Sequence, residues 1–317
     1  MKIVWIAMIL LVPALALSAA PPQQESGKDL SWAFPVPDKN LPAMDESGPR
    51  QVPGSTKSYT MKEIDNLMNP PDWFPEEHPP APNVVTHGGG QGVLACGACH
   101  LMSGEGHPES AGLTGLAPEY IERELADFKS GARNDKGRMV SISKILSEDD
   151  AKQAAEYFGS LKPVEWVKVV EAKTVPKSVV NGGRMRLPAP GGGMEPLGNR
   201  IIELPLDPNL VLDRDPHSGF TAYVPVGSVE KGRKLAGGVA GKTLQCSICH
   251  GENLTGLGEV PGIAGLHPIY IVRQLYAFKN GDRDGKSAAL MKGVVANLND
   301  EDILNLAAYV ASKNPTR

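Results

Sequence analysis

Several things are scarce in this chain, and each scarcity closes off a class of answers. Aromatic residues make up only 5%, so the core has few rings to build on. Cysteine occurs 4 times in 317 residues, too few for a disulfide scaffold in a chain of this length. No sign of charge dominates: 32 basic residues stand against 36 acidic ones, a net of −4. A nucleic-acid binder needs a basic field that this balance does not supply. Long apolar runs are also rare. One opens the chain, from Ile3 to Leu17 behind Met1-Lys2, and ends in Ser18-Ala19-Ala20 before Pro21. A positive charge, an apolar stretch and small residues are the layout of an export signal. Ala14-Leu15-Ala16 and Ser18-Ala19-Ala20 both offer a cleavage point, and Pro13 argues against a retained spanning helix. The expectation is a signal peptide over 1–20 and a mature protein in the periplasm; an uncleaved signal would tie it to a membrane.

Proline (28) and glycine (35) are plentiful and divide the chain. Residues 21–90 carry Pro21-Pro22, Pro70-Pro71 and Pro79-Pro80, so long helices and central strands are excluded there. Thr60-Met61-Lys62-Glu63 has capping-box spacing ahead of Ile64, Leu67 and Met68 and predicts a short helix stopped by Pro70-Pro71. Residues 164–227 contain Pro188-Ala189-Pro190-Gly191-Gly192-Gly193 and two β-prone pieces, Trp166–Val170 and Arg200–Leu204. This segment reads as an extended strap packed over its neighbours.

Between these lies an internal repeat. At an offset of 150, Cys96, Cys99 and His100 meet Cys246, Cys249 and His250. Pro118 meets Pro268, Tyr120 meets Tyr270, Phe128-Lys129 meets Phe278-Lys279, Gly131 meets Gly281, and Arg133 meets Arg283. Two residues are then added, and Met139 pairs with Met291, Asp150 with Asp302 and Tyr157 with Tyr309. In each copy a helix is expected to start at the proline, to run on Ile121, Leu125 and Phe128 or on Ile271, Leu275 and Phe278, and to end at the glycine. A last helix begins behind Ser147-Glu148-Asp149-Asp150 or Asn299-Asp300-Glu301-Asp302, where acids suit the helix dipole.

The chemistry sits in Cys96-Gly97-Ala98-Cys99-His100 and Cys246-Ser247-Ile248-Cys249-His250. Both read C-x-x-C-H, the c-type haem attachment pattern. On one helical turn, positions i, i+3 and i+4 share a face. Two thiols can therefore bond one porphyrin edge while the imidazole reaches the iron. A zinc ribbon would need its pairs 15–20 residues apart; here they are 150 apart, each with its own histidine. A thioredoxin-type pair would need a βαβ setting, and a disulfide across C-x-x-C is geometrically strained. Met139 and Met291, matched across the copies, are the expected sixth ligands. Met102 stands too close behind His100 for that role. His107, His217 and His267 are weaker competitors, with His267 expected at the surface, and His78 and His87 read as loop histidines. A thioether is a soft ligand that fills the sixth position and raises the reduction potential, which suits electron transfer.

The sequence resembles a dihaem class I c-type cytochrome of the cytochrome c4-like group. The resemblance rests on the two C-x-x-C-H motifs, Pro261-Gly262-Ile263-Ala264-Gly265, the Tyr270 to Arg283 helix, Met291, and Asp300–Tyr309, and it covers roughly half the chain. It implies an all-α fold in which each repeat wraps one haem. Two covalently bound haem c groups are implied, on Cys96 and Cys99 and on Cys246 and Cys249. Their axial pairs would be His100 with Met139 and His250 with Met291. The Pro261 carbonyl would orient His250, and Tyr120, Arg133, Tyr270 and Arg283 would lie near propionates. Ala111 replaces that proline in the first copy, which predicts a looser partner for His100. The second copy has an opening helix over Val229–Ala236, with Gly232 letting the Tyr309 helix approach. The first lacks it or replaces it with residues 60–68.

The expected organisation is thus a signal peptide (1–20), a Pro-rich extension (21–90), a first cytochrome c domain (91–163), a strap (164–227) and a second cytochrome c domain (228–317). The implied function is that of a carrier, not an enzyme. It would take single electrons from a dehydrogenase or quinol-oxidising donor and hand them to an oxidase or reductase acceptor, both of them redox partner proteins. A dihaem oxidoreductase or peroxidase with one displaceable ligand, or a dedicated subunit of a larger dehydrogenase, are the alternatives.

Overall fold

The computed structural model describes residues 30–39, 41, 48–135 and 137–316; the signal-peptide expectation for 1–20 lies outside them. The short strands β1 (Pro49–Arg50) and β2 (Tyr59–Thr60) pair antiparallel and lead into helix α1 (Met61–Ile64). The capping box forms: the Glu63 N–H donates to Thr60 Oγ1 at 3.3 Å, and the Thr60 N–H donates to Glu63 Oε2 at 2.8 Å. The helix stops at Ile64, short of Leu67 and Met68, because the Asn66 side chain draws the Met68 N–H into a local turn at 3.0 Å. Met61 and Ile64 bury against Val52, Trp73 and Phe74.

The first repeat comprises α2 (Asn83–Thr86), α3 (Gly97–His100), α4 (Pro118–Ser130), α5 (Met139–Ile145) and α6 (Glu148–Ser160). Its core gathers Val84, Val85, Met102, Ile121, Leu146, Ala155, Tyr157 and Phe158. Gly131 closes α4 at φ 84°, the left-handed conformation a helix end requires.

The strap follows. It runs through β3 (Val167–Glu171), β4 (Thr174–Pro176), β5 (Ser178–Val180), β6 (Arg186–Pro188), β7 (Met194–Pro196), β8 (Ile202–Pro205), helix α7 (Pro208–Leu212) and β9 (Phe220–Val224). Strands β3, β9 and β8 form one sheet, with β3 parallel and β8 antiparallel to β9. Both β-prone pieces become strands. Their side chains are a packed core: Ile201, Ile202, Ala222 and Val224 are fully buried, and Trp166, Val167, Val211 and Phe220 cluster with Leu101 of the first repeat. This corrects the all-α expectation. The β-branched and aromatic residues of the strap bury by pairing into sheets, and its recurring prolines and glycines leave room for one short helix, α7, which starts at Pro208.

The second repeat comprises α8 (Ser228–Ala236), α9 (Ser247–His250), α10 (Pro268–Asn280), α11 (Ala289–Val295) and α12 (Asp300–Ala311). A Cβ on Gly232 would fall 1.9 Å from the Asn305 carbonyl oxygen and 2.6 Å from the Tyr309 Cβ, so only glycine lets α8 touch α12. In the first repeat this opening helix survives as one turn, α2. Its Val84 carbonyl accepts the Cys96 N–H at 3.1 Å, as the Ala236 carbonyl accepts the Cys246 N–H at 2.9 Å. Residues 60–68 do not replace it; they belong to the cluster with Trp73 and Phe74.

Candidate haem sites

Helices α3 and α9 are single turns opened by Cys96 and Cys246, both in helical backbone. The His100 N–H donates to the Cys96 carbonyl at 2.9 Å, and the His250 N–H to the Cys246 carbonyl at 3.0 Å. Each turn therefore holds its two cysteines and its histidine on one face. None of the four cysteines is in a disulfide. His100 Nδ1 lies 2.8 Å from the Ala111 carbonyl oxygen, and His250 Nδ1 lies 2.8 Å from the Pro261 carbonyl oxygen. A carbonyl only accepts, so each Nδ1 carries the proton and each Nε2 keeps its lone pair for a metal. The proline is not needed. The Gly106 N–H donates to the His100 carbonyl at 3.0 Å and the His107 and Ser110 backbones bridge, fixing the Ala111 carbonyl as well as Pro261 is fixed. Burial lowers the pKa of both imidazoles, which keeps the neutral, ligating form.

The residue after each histidine has positive φ. In the second repeat it is Gly251, at 81°; in the first it is Leu101, at 62°. A leucine there is strained by roughly 1–3 kcal/mol. Its side chain, 7% exposed, anchors the strap core instead.

Met139 is the first residue of α5 and Met291 the third of α11, both half-buried. The structure puts each on a short helix. Each segment is clipped at its far end by a lysine. Lys129 Nζ donates to the Leu146 carbonyl at 3.1 Å, and Lys279 Nζ donates to the Leu298 carbonyl at 2.6 Å. Lysine at the end of α4 and α10 thus ties the methionine-bearing segment back onto the helix that precedes it. The repeated Phe-Lys dipeptide signalled this, but its role could not be read without the fold.

The structure brings Tyr120, Arg133, Tyr270 and Arg283 together where the two repeats meet. The backbones of Arg133 and Arg283 bridge antiparallel, with the Asn134 N–H on the Asp282 carbonyl at 2.6 Å and the Asp284 N–H on the Ala132 carbonyl at 2.7 Å. Glu124 accepts from both guanidiniums, from Arg133 at 2.5 Å and from Arg283 at 2.7 Å. Gln274, its counterpart, also accepts from both, at 2.9 and 3.1 Å. Each arginine also lies over the phenylalanine of its own repeat, at 4.3 Å from Phe128 and 4.2 Å from Phe278. The two guanidiniums are buried against a single carboxylate, which leaves room for anionic groups. Sequence reading marked the tyrosines and arginines, took Gln274 only as part of the Tyr270 to Arg283 helix and missed Glu124; the mismatch across the repeat hid their shared role.

The competing ligands are engaged elsewhere. Met102 is buried in the apolar core of the first repeat with Val85 and Phe158. His217 pairs with Glu77 at 2.7 Å and His78 with Asp72 at 3.2 Å, while His87 lies in an exposed loop on Thr86. His107 is sunk against the first repeat, and burial pushes its imidazole down to about 3. His267, expected at the surface, is 2% exposed, with Nδ1 3.5 Å from Glu203 Oε1 and its ring against Phe220. The strap covers it, which its neighbour Pro268 gave no sign of.

Two thiols, a neutral imidazole with a free Nε2 and a clipped methionine in each repeat fit a haem held by thioethers with axial nitrogen and sulfur. The cytochrome c family pattern matches residues 229–314. The chain is 28% identical over 231 residues to the thiosulfate dehydrogenase electron acceptor of Thiomonas intermedia (strain K12), covering 71% of this chain and 82% of that protein. It is 27% identical over 239 residues to cytochrome c4 of Stutzerimonas stutzeri, covering 70% and 86%. To cytochrome c-554(547) of Halothiobacillus neapolitanus it is 39% identical over 84 residues, covering 23% and 92%. With covalently bound haem c and an electron-transfer function, the chain belongs to the cytochrome c family, as a class I c-type cytochrome of the cytochrome c4-like group.

Proposed function

We propose that the chain is an exported dihaem electron carrier built from a duplicated cytochrome c unit. It takes single electrons from a dehydrogenase and delivers them to an oxidase or reductase, without turning over a substrate of its own. Cys96 and Cys99 hold one haem and Cys246 and Cys249 the other; His100 with Met139, and His250 with Met291, are the axial pairs. The observation that carries this reading is the matched pair of Nδ1-to-carbonyl bonds, both 2.8 Å. Two histidines 150 residues apart are held in the same tautomer for the same task. When bound, each haem supplies a one-electron iron couple. The protein's part is to fix the imidazoles, clip the methionines through Lys129 and Lys279, and place two buried guanidiniums where propionates need counter-charge.

A dehydrogenase as donor is supported by the Thiomonas relative, whose name makes it the electron acceptor of such an enzyme. The matched units 91–163 and 228–317 are the proposed domains, and 1–20 the export signal. No helix among the described residues is long and apolar enough to cross a membrane. A redox titration of the protein matured in the periplasm, followed by optical and magnetic spectroscopy, tests the reading. Two low-spin haems with a methionine–iron charge-transfer band are expected. A high-spin component in the untreated protein would instead favour the dihaem oxidoreductase.

A further inference from the structure

A cavity of 460 Å³ lies where the Pro-rich arm, the first repeat and the strap meet. It is separate from the haem site. Cys96, Cys99 and His100 do not line it, and the wall it shares with that turn is the reverse side, at Gly97 and Leu101. Trp73 and Phe74 come from the arm, Ser103 and Glu105 from the first repeat, and Arg214 from the strap.

Most of its charges are already matched within the protein. Asp72 holds His78, Glu77 holds His217, and Arg214 donates to the Ala98 carbonyl and faces Asp65. The Glu77–His217 pair is half-exposed and marks the solvent side. Two groups remain with capacity to spare. The Ser103 hydroxyl is buried with no hydrogen-bond partner among the described residues. The Glu105 carboxyl, 7% exposed, receives the Val164 N–H at 3.2 Å on Oε1 and the Thr114 hydroxyl, and a carboxyl has lone pairs beyond those two. Burial pushes Glu105 up to about 7, so near neutral pH it can accept or donate a hydrogen bond.

These features select a ligand. A charged molecule would find no free counter-charge in the buried part of the cavity: the acids and bases there are paired, and Lys162, which also lines it, is exposed to solvent. An aliphatic molecule would leave the buried hydroxyl unserved. Aromatic walls with a hydroxyl and a carboxyl suit a ring that carries its own hydroxyl. A cavity of about 150 Å³ already admits benzene, and this one has room for a substituted ring. We propose that the cavity is a binding site for a small uncharged phenol, with its ring on the Trp73 and Phe74 side and its hydroxyl bonded to Glu105 and Ser103. Nothing in the electron-carrier reading requires such a site, and neither stands or falls with the other.

Calorimetric titration of the full-length ferric holoprotein with 4-methoxyphenol tests it. Saturable one-to-one binding is expected, tighter at pH 8 than at pH 6 because an ionised Glu105 is the better acceptor. Ser103→Leu, which fills the cavity, should weaken binding by about tenfold or more. Glu105→Gln, nearly isosteric, should remove the pH dependence while the haem spectrum stays unchanged. Absence of saturable heat in the unaltered protein would overturn the proposal whatever the variants do. So would binding that both substitutions leave intact.

Discussion

Ala98 and Ile248 occupy the same place in the two attachment turns, yet Ala98 is 1% exposed and Ile248 is 67%. Around Ala98, Arg214 reaches its carbonyl, Trp166 donates to the Gly106 carbonyl, and Leu101 enters the strap core. Among the described residues Ile248 has no such cover, and Leu244 and Leu257 are also exposed. The comparison separates two layers of specification. The motif fixes the turn, and the loop that follows it fixes the carbonyl partner and hence the tautomer, identically in both repeats. Access is decided by residues outside the repeat, since arm and strap close over the attachment turn of the first unit and leave that of the second exposed. A partner protein can touch the second attachment turn without displacing anything. The only charged residue between Gly237 and Cys249 is Lys242, which is tied to Asp302 at 2.8 Å, so such an encounter would depend little on salt.

The comparison can be broken most forcefully at the methionines. Met139→Ala and Met291→Ala should each turn one haem high-spin and lower its potential by roughly 0.2–0.4 V, within the about 0.8 V that axial ligands span. If the cover matters, small molecules added to the solution will reach the open position faster in the Met291 variant than in the Met139 variant, as followed by stopped-flow absorbance. Equal rates would erase the distinction between the units.

A second break is structural. Gly232→Ala should destabilise the second unit by about 3 kcal/mol through overpacking against α12. The first unit has no equivalent contact and should keep its own haem signal during denaturant unfolding. Loss of both signals together would mean that the two units unfold as one.

The third concerns Glu105, which stands where the second repeat has Thr255. Burial raises its carboxyl pKa from 4.5 to about 7. The unfolded chain releases this proton near pH 4.5, whereas the folded chain holds it until about pH 7. Stability is therefore lost as pH rises through that window, by at most about 3 kcal/mol. Glu105→Gln should flatten the pH dependence of the unfolding free energy between pH 5 and 8 and make the variant the more stable form at pH 8. Thr255→Ala should leave the slope untouched. The smallest effect is expected at the clips. Lys129→Met or Lys279→Met should each cost about 1.5–3 kcal/mol, the usual worth of a charged hydrogen bond. Their methionine–iron band should fade at a lower temperature than in the unaltered protein.

The helical turns of the two attachment motifs, the helices from Pro118 and Pro268, and the Thr60 capping box were legible because each rests on residues within one or two turns of each other. The repeat added the methionines, since a match across 150 residues is visible where a lone methionine is not. What stayed hidden depends on distant partners. Ala111 serves as well as Pro261 because the 106–111 loop holds its own carbonyl, which no residue type announces. His267 lies buried against Glu203 and Phe220 because the strap folds over it. Glu124 and Gln274 share two arginines only once the repeats face each other. The opening helix of the first unit shrank to one turn, and proline clusters told of its loss without locating what remained.

The parallel pairing of β3 with β9 has a consequence for how the molecule is strung together. Val167 sits beside Phe220, and Glu171 beside Val224, so the chain departs from the first unit and arrives at the second along neighbouring tracks. The long excursion between them is a detour rather than a spacer. Even a shortened version would need a crossover of about a dozen residues or more to join parallel tracks, and it would uncover the first attachment turn and, in the second unit, His267, which the strap buries against Glu203 and Phe220.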